Sequence, residues 1–318
     1  MTLFVETPAL MTTIQDWGRV NYERFGMPGS GPMDWWAFQI ANLLVGNTIQ
    51  QACVEFGFSS AAVVVEQDAL LAVCGTGYDL SLNGQEIPLW MAFLARRGDR
   101  VVLTKTGGGN WVYLAAVGGI NSEMWMGSRS VYPRGGLGRL LIQGDRLSTD
   151  PISAQSRMLA GSSISTSARP SYRENPVVRV ITGPHANRFR EESFEVFWSQ
   201  PFVVSVNSDR MGYRLTGPSL AHTAGADLIS QGMALGEIQV PADGQPIVMM
   251  PDHPTTGGYT CIGTVARVDL PLLAQAQPLK SQLHFSAISV EEAQQLFFST
   301  IHKIDSGIHQ EEELWQNL

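Results

Sequence analysis

Short apolar runs separated by turn residues dominate the pattern between residues 54 and 147. The runs recur at regular intervals, and the pair Asn83-Gly84 stands between two of them. This spacing is typical of antiparallel sheets folded as a sandwich or barrel, and Asn-Gly favours a tight hairpin turn. The pattern predicts strands at residues 61–66, 69–74, 78–82, 88–94, 100–105 and 111–117.

One helix interrupts the strand pattern of the first half. Apolar residues recur at helical spacing from Asp34 to Val45, and Gly46-Asn47 supplies a stop signal. The Gly- and Pro-rich segment before this helix contains Ser30, whose hydroxyl can face an anion together with backbone N–H groups. The alternative is an ordinary capped helix behind a tight turn.

The second half returns to strands after a change in composition. From residue 148 to residue 176 the large apolar residues give way to Ser, Thr, Ala and Pro, which indicates a linker. Strands are predicted at residues 177–181, 202–206, 238–240, 247–250 and 283–285, and helices at residues 187–198, at residues 270–275 and after a capping box at residues 289–292. The predicted organisation is mainly β: a lobe over residues 1–150, a linker over 151–176, a second β-rich lobe over 177–300 and an acidic tail over 301–318.

A polar segment with two glycines follows the run at residues 247–250. Residues 252–259 combine a carboxylate, an imidazole, two hydroxyls and a phenol with Gly257 and Gly258. Glycine allows a backbone to approach a ligand closely, and loops carry many binding residues. We therefore expect this segment to be a ligand-binding loop.

Charge and cysteine usage exclude several classes of protein. Lys plus Arg number 21 and Asp plus Glu 29, which gives a formal net charge of −8, the wrong sign for a nucleic-acid binder. Cys53, Cys74 and Cys261 are isolated, which favours a reducing cytoplasm over a disulfide framework or a thiolate metal site. We expect neither a secretory signal nor a membrane helix, which requires roughly 20 apolar residues.

The sequence lacks the common motifs of self-sufficient catalysis. Lys105, Lys280 and Lys303 lie outside any P-loop pattern, and the six histidines have no metal-ligand spacing. The pair Gly75 and Gly77 has no third glycine where a dinucleotide-binding fingerprint needs one. We therefore predict no metal site, and a protein that acts with a partner.

Several long motifs resemble the carboxyltransferase-like family. They lie at residues 13–18, 26–34, 41–47, 208–215 and 238–263, in the family's order. The family includes KipA, the C-type subunit of the bacterial ATP-dependent 5-oxoprolinase, allophanate hydrolase subunit 2 and the matching part of urea carboxylase. The resemblance implies a cyclophilin-like β-barrel, a KipI-like partner (the B-type subunit) and, in 5-oxoprolinase, a third, lactam-hydrolase-like subunit.

Polar residues of the second lobe are predicted to form a pocket for an amide and an anion. The forked guanidinium of an arginine suits a carboxylate, and amide, carboxyl and hydroxyl groups suit the flat edge of a lactam or ureido ring. We assign catalytic roles to Arg210, Asp252 and Tyr259. The predicted substrate-binding residues are Ser30, Asp209, Tyr213, Arg214, Gln239, Asp243, Gln245, Thr255, Thr256, Gly257 and Gly258. The alternative for Arg210 is a structural ion pair with Asp209 or Asp252.

Four positions depart from the family's common pattern. Pro254 stands where Gln is usual, and Thr260 stands where Pro is usual. Gln231 replaces a residue of a frequent Ser-Glu-Gly, and Glu237 replaces Ala. These changes bear on the identity of the substrate.

Three functions fit these observations. In the favoured one, the chain is a subunit of a 5-oxoprolinase-like complex: a partner uses ATP to phosphorylate the lactam or its hydrate, and this chain helps to bind the ring and open it to glutamate. In the second, it is a component of a biotin-dependent carboxyltransferase that acts on urea or a related amide. In the third, it is a KipA-like protein that binds and antagonises a KipI-like histidine kinase inhibitor without catalysis.

Overall fold

The computed structural model describes residues 2–310, which form a mainly β protein with a few short helices, as predicted. Within these residues, unit 1 takes residues 2–19, 30–170 and 302–310, and unit 2 takes residues 20–29 and 171–301. Residues 151–170, in the predicted linker, belong to unit 1 and contain a short helix and a strand. Residues 311–318 of the predicted acidic tail lie outside the described residues.

The strands found among the described residues run in the following order. They are β1 (Thr2–Thr7), β2 (Met11–Gln15), β3 (Cys53–Gly57), β4 (Ala61–Val65), β5 (Ala69–Gly75), β6 (Tyr78–Leu82), β7 (Gln85–Ile87), β8 (Ala92–Ala95), β9 (Arg100–Lys105), β10 (Trp111–Ala116), β11 (Ile120–Asn121), β12 (Arg146–Thr149), β13 (Ser162–Ile164), β14 (Val177–Thr182), β15 (Phe202–Val204), β16 (Gly212–Thr216), β17 (Asp227–Gly232), β18 (Glu237–Val240), β19 (Ile247–Met249), β20 (Thr256–Val265), β21 (Gln282–Ala287) and β22 (Ile308–Gln310).

The helices in the same part of the chain are short, apart from the last one. They are α1 (Trp35–Leu44), α2 (Ala154–Arg157), α3 (Glu191–Ser199), α4 (Leu270–Ala274) and α5 (Val290–Ser306). The predicted capping box starts α5: the Ser289 N–H donates to Glu292 Oε2 at 3.0 Å, and the Glu292 N–H donates to Ser289 Oγ at 3.2 Å.

Unit 1 is built from two large antiparallel sheets. One has the strand order β11-β12-β1-β4-β9-β6-β7, and the other has the order β2-β3-β10-β5-β8. Apolar side chains of both sheets, such as Val5, Phe56 and Leu114, are fully buried in one core. This arrangement agrees with the antiparallel pattern read from the sequence. The strand predicted at residues 88–94 is present but starts later: β8 begins at Ala92, because Pro88 has no N–H to donate and Trp90 has a φ of 68°.

Unit 2 is a closed barrel of seven strands. The order β14-β21-β15-β16-β19-β18-β20 returns to its start because β20 also pairs with β14, with Val180 opposite Val265. β14 and β21 pair in parallel, and the other pairs of the ring are antiparallel. Closure leaves the ring without an exposed edge.

The barrel has an apolar interior and one strand outside the ring. Val178, Ile238, Val248 and Leu283 are fully buried, while α3 covers β21 by stacking Phe197 on Phe285, with ring centroids 4.6 Å apart. β17 pairs with β20 alone among the described strands. Its residues are mostly exposed, so β17 is the open edge of this unit.

Candidate functional site

Arg210 and Asp252 form a buried ion pair in unit 2. The Arg210 Nε donates to Asp252 Oδ2 at 2.8 Å and Nη2 donates to Oδ1 at 3.2 Å, and the side chains are 6% and 5% exposed. The Asp252 N–H also donates to the Arg210 carbonyl at 2.8 Å. The structure therefore contains the ion pair that the sequence left as the alternative for Arg210. It ties the turn before β16 to the turn after β19.

Asp209 and Tyr213, on either side of Arg210 in the chain, form hydrogen bonds with backbone groups. Asp209 Oδ1 accepts from the N–H groups of Met211 at 2.8 Å and Gly212 at 3.3 Å, which is an Asx-type turn. The buried Tyr213 donates its hydroxyl to the Ala274 carbonyl at 2.9 Å. Arg214, the next residue of β16, is exposed because side chains alternate along a strand.

Asp243 and Gln245 hold the turn between β18 and β19. Asp243 Oδ1 accepts from the Gln245 N–H at 3.0 Å. The Gln245 amide makes two hydrogen bonds with Gly217, accepting from its N–H at 2.9 Å and donating to its carbonyl at 3.1 Å. The Gln245 side-chain amide therefore pairs with the backbone N–H and carbonyl of Gly217 and holds the two segments together.

Gly257 and Gly258 lie in strand β20, so the expectation of a loop over these residues was wrong. A Cβ at Gly257 would lie 2.3 Å from the Met233 sulfur and 2.7 Å from Gln239 Nε2. Glycine leaves room for these two side chains, which would have to move if residue 257 carried a Cβ. The turn itself is shorter, and it ends at Thr255, whose carbonyl accepts from the Met233 N–H at 3.0 Å.

Gln239 belongs to a buried polar cluster next to Gly257. Its Nε2 donates to Glu237 Oε1 at 3.1 Å and lies 2.9 Å from the Met233 sulfur. Glu237 Oε2 accepts from the Ala234 N–H at 3.2 Å. Glu237 accepts through both oxygens, from the Gln239 amide and from the Ala234 N–H, and so fixes the direction of the Gln239 amide.

Two predicted residues of β20 present accessible side chains. Thr256 is exposed and lies opposite Gly232 of β17. Tyr259 is 40% exposed and lies opposite Asp227. Together with Thr255, they place accessible hydroxyl groups on β20 and on the turn before it, where a ligand can bind them.

A pocket of about 640 Å³ lies beside β17 and the 3-10 helix Ala186–Arg188. It is lined by His185, Arg188, Asp227, Leu228, Ile229 and Gln231. Except for Gln231, these residues were not singled out from the sequence, although Arg188 lies in the helix predicted at residues 187–198. Their proximity depends on β17, an element that the polar pattern did not predict.

His185 and His222 are both held by contacts with β20. His185 Nδ1 accepts from the Cys261 N–H at 3.1 Å. His222 Nε2 lies 2.8 Å from Thr260 Oγ1, which itself donates to the Val240 carbonyl at 3.3 Å, so His222 donates to Thr260. Burial lowers the pKa of His222 below its ordinary value of 6.5. Thr260 thus holds the His222 imidazole in place.

Ser30 belongs to unit 1, in the loop before α1. It has a left-handed φ of 57°, and its buried Oγ has no hydrogen-bond partner among the described residues. The following backbone N–H groups are used internally: that of Met33 donates to Glu55 at 2.9 Å, and that of Asp34 donates to the Tyr113 hydroxyl at 2.8 Å. These bonds support the ordinary capped helix, with Asp34 Oδ1 accepting from the Ala37 N–H at 3.0 Å.

Metal clusters and membrane helices are both absent from residues 2–310. No group of three or more His, Cys, Asp and Glu side chains in this part of the chain is placed to hold a metal ion. No helix there has the length and apolar character needed to cross a bilayer.

The closed barrel, the two-sheet unit and the motifs around β18 to β20 define a protein of the carboxyltransferase type. The family model for the carboxyltransferase domain, subdomain A and B, matches residues 25–287. The chain belongs to this family.

Named relatives agree with the family. The C-type subunit of the Escherichia coli 5-oxoprolinase is 36% identical over 288 residues, which cover 89% of this chain and 90% of that protein. The urea amidolyase of Lachancea kluyveri is 32% identical over 92% of this chain, which corresponds to only 17% of that protein. The crystal structure of the K. lactis urea amidolyase superposes with a TM-score of 0.88 at 29% identity and covers 96% of this chain, which spans 20% of the solved chain.

Proposed function

We propose that this chain is the C-type subunit of an ATP-dependent 5-oxoprolinase-like complex that opens the 5-oxoproline lactam to glutamate. The observation that carries the proposal is the similarity to the corresponding E. coli 5-oxoprolinase subunit, which covers about nine-tenths of both chains. The chain matches nearly the whole of that subunit, whereas it corresponds to one part of a urea amidolyase.

In this proposal the accessible hydroxyl groups of Thr255, Thr256 and Tyr259, on β20 and the turn before it, contact the lactam. Hydroxyl groups can donate to its carbonyl and accept from its N–H, which suits a cyclic amide. Arg210 and Asp252 contribute by fixing the turn that precedes these residues, since their charged groups are bonded to each other. They are positioning residues for the loop, a narrower role than the catalytic one assigned from the sequence.

The partners and ATP belong to the same proposal. A KipI-like protein of the B type and a lactam-hydrolase-like third subunit complete the complex, which uses ATP to activate the lactam, and water then supplies the oxygen of the new carboxylate. The E. coli relative is named as one subunit of an enzyme, which supports a multi-subunit assembly. The three free, buried cysteines fit a reducing cytoplasm.

The test is reconstitution of the complex. The chain is purified with its B-type partner and third subunit, and glutamate formed from 5-oxoproline is measured with and without ATP. We expect ATP-dependent release of glutamate that requires all three proteins. A complete complex that releases none would contradict the proposal.

A second candidate is a component of a biotin-dependent carboxyltransferase, favoured by the TM-score of 0.88 to the K. lactis urea amidolyase. It predicts that the chain, with its partner, binds a biotinylated carrier protein and transfers a carboxyl group to urea. Carboxylation of urea without any release of glutamate from 5-oxoproline would favour this candidate over the first.

A further inference from the structure

The pocket beside β17 contains two opposite charges that do not neutralise each other. Arg188 and Asp227 both line it. Within residues 2–310, neither the Arg188 guanidinium nor the Asp227 carboxylate forms an ion pair or a side-chain hydrogen bond. Opposite charges held apart in one hollow are complementary to a ligand that carries both charges.

The other side chains of the pocket add neutral donors and an apolar surface. Because His185 Nδ1 accepts from the Cys261 N–H, the ring proton lies on Nε2, which is 3.3 Å from Gln231 Nε2, so the Gln231 amide must be turned through 180° to accept from it. The amide orientation that satisfies this N–H presents Oε1 to it and directs the Gln231 NH₂ group elsewhere. Ile229 is 94% exposed, and its apolar surface is available to an aliphatic segment of a ligand.

We propose that this pocket binds a free α-amino acid as its zwitterion. The forked guanidinium of Arg188 receives the α-carboxylate, and Asp227 receives the ammonium group. The Gln231 NH₂ group donates to an oxygen of the ligand's side chain, and the methylene groups of that side chain cover Ile229. Glutamate meets each of these requirements, and its choice as the ligand rests on the proposed function.

The pocket lies next to the residues that are proposed to bind the lactam. Asp227 lies opposite Tyr259 and Gln231 lies opposite Gly257 in the β17–β20 pair. Opening of a lactam converts its uncharged nitrogen into an ammonium group. Asp227 therefore recognises the ammonium group, which the product has and the lactam substrate lacks. The pocket is a product site beside the residues that bind the substrate.

The experiment measures binding to the full chain alone, without partners or ATP, by isothermal titration calorimetry. The probes are L-glutamate, 5-oxoproline and glutarate, the last two of which lack the ammonium group. We expect glutamate to bind at least ten-fold more tightly than either. The variant Asp227→Asn is expected to remove this preference, and Arg188→Gln to weaken the binding of glutamate at least ten-fold. The exposed residues Arg190 and Asp305 provide matched controls, Arg190→Gln and Asp305→Asn, which should bind as the unchanged protein does.

Three results would overturn the inference: no binding of glutamate, equal binding of glutamate and 5-oxoproline, or binding that is unaffected by both pocket variants. These outcomes are separable from failure of the proposed function. A chain that binds glutamate selectively but forms no active complex retains the amino-acid site. If the complex is active but this chain does not bind glutamate, only the amino-acid site is refuted and the proposed function stands.

Discussion

The carboxylate of Asp252 accepts from Arg210 Nε at 2.8 Å, and both side chains are almost completely buried. The pair joins two turns of the barrel that are 42 residues apart in sequence. Buried charges are costly unless they are paired, so each residue depends on the other.

Loss of either partner should therefore destabilise unit 2. We expect Arg210→Ala and Asp252→Ala each to lower the free energy of unfolding by about 3–5 kcal/mol, and the double variant to lose less than the sum of the two. Urea denaturation measures these values. Arg214→Ala, at an exposed position of β16, is the control and should change the stability by about 0.5 kcal/mol or less. A loss below about 1 kcal/mol in both buried variants would show that the pair does not hold the turns.

The close packing at Gly257 leads to a second prediction. Gly257→Ala places a methyl group 2.3 Å from the Met233 sulfur, so we expect a loss of about 1–3 kcal/mol from overpacking. Met233→Ala in the same chain should recover part of this loss. Gly232→Ala is the control on the paired strand, since a Cβ there meets nothing within 4 Å. Equal stabilities of the two single glycine variants would refute the packing argument.

The two tyrosines of the site should separate stability from activity. Tyr213→Phe removes a buried hydrogen bond to Ala274 and should cost about 0.5–1.5 kcal/mol without changing KM. Tyr259→Phe removes a hydroxyl from an exposed side chain and should leave the stability unchanged but raise KM for 5-oxoproline in the reconstituted complex. Thr256→Val should act as Tyr259→Phe does, with the exposed Thr216→Val as its control. Normal kinetics in both Tyr259→Phe and Thr256→Val would show that these side chains do not bind the substrate.

His222 should make the stability depend on pH. Burial lowers the pKa of His222 in the folded protein below the value of 6.5 that we take for the unfolded chain. The unfolded state therefore binds the proton more tightly, so the stability contributed by the neutral imidazole is fully present above pH 6.5 and falls as the pH drops through that value. Urea titrations between about pH 5 and 8 test this for the unchanged protein, for His222→Gln and for the exposed control His302→Gln. An identical pH dependence in the unchanged protein and His222→Gln would contradict it.

Local signals were predicted well from the sequence, and long-range contacts were not. The capping box joins Ser289 and Glu292, three residues apart, and it is found in the structure, as is the helix predicted from Asp34. Gly257 suggested a ligand loop, but it is a strand residue that pairs with Gln231 of β17, a strand that the sequence pattern did not predict. The contact of His185 with Cys261 joins residues 76 apart in sequence, and no local sequence pattern predicts it.

The resemblance supplied what periodicity did not. The strand pattern of residues 54–147 predicted a sandwich or a barrel for the first lobe. The family resemblance predicted a cyclophilin-like barrel for the lobe over residues 177–300, and unit 2 contains a closed barrel of seven strands. Arg210 and Asp252 contact each other, as the structural alternative expected, and their membership of a binding site stays a prediction. Their role could not be read from the sequence, because the same two residue types form either a binding site or a buried pair.

Closure of the barrel has a consequence for the order in which the chain is made. β14 is among the first strands of unit 2 to leave the ribosome, yet its two partners, β20 and β21, are among the last. The nascent polypeptide must therefore keep β14 unpaired until residues 256–265 have emerged, and a truncated product that stops before β20 exposes both edges of that strand to aggregation.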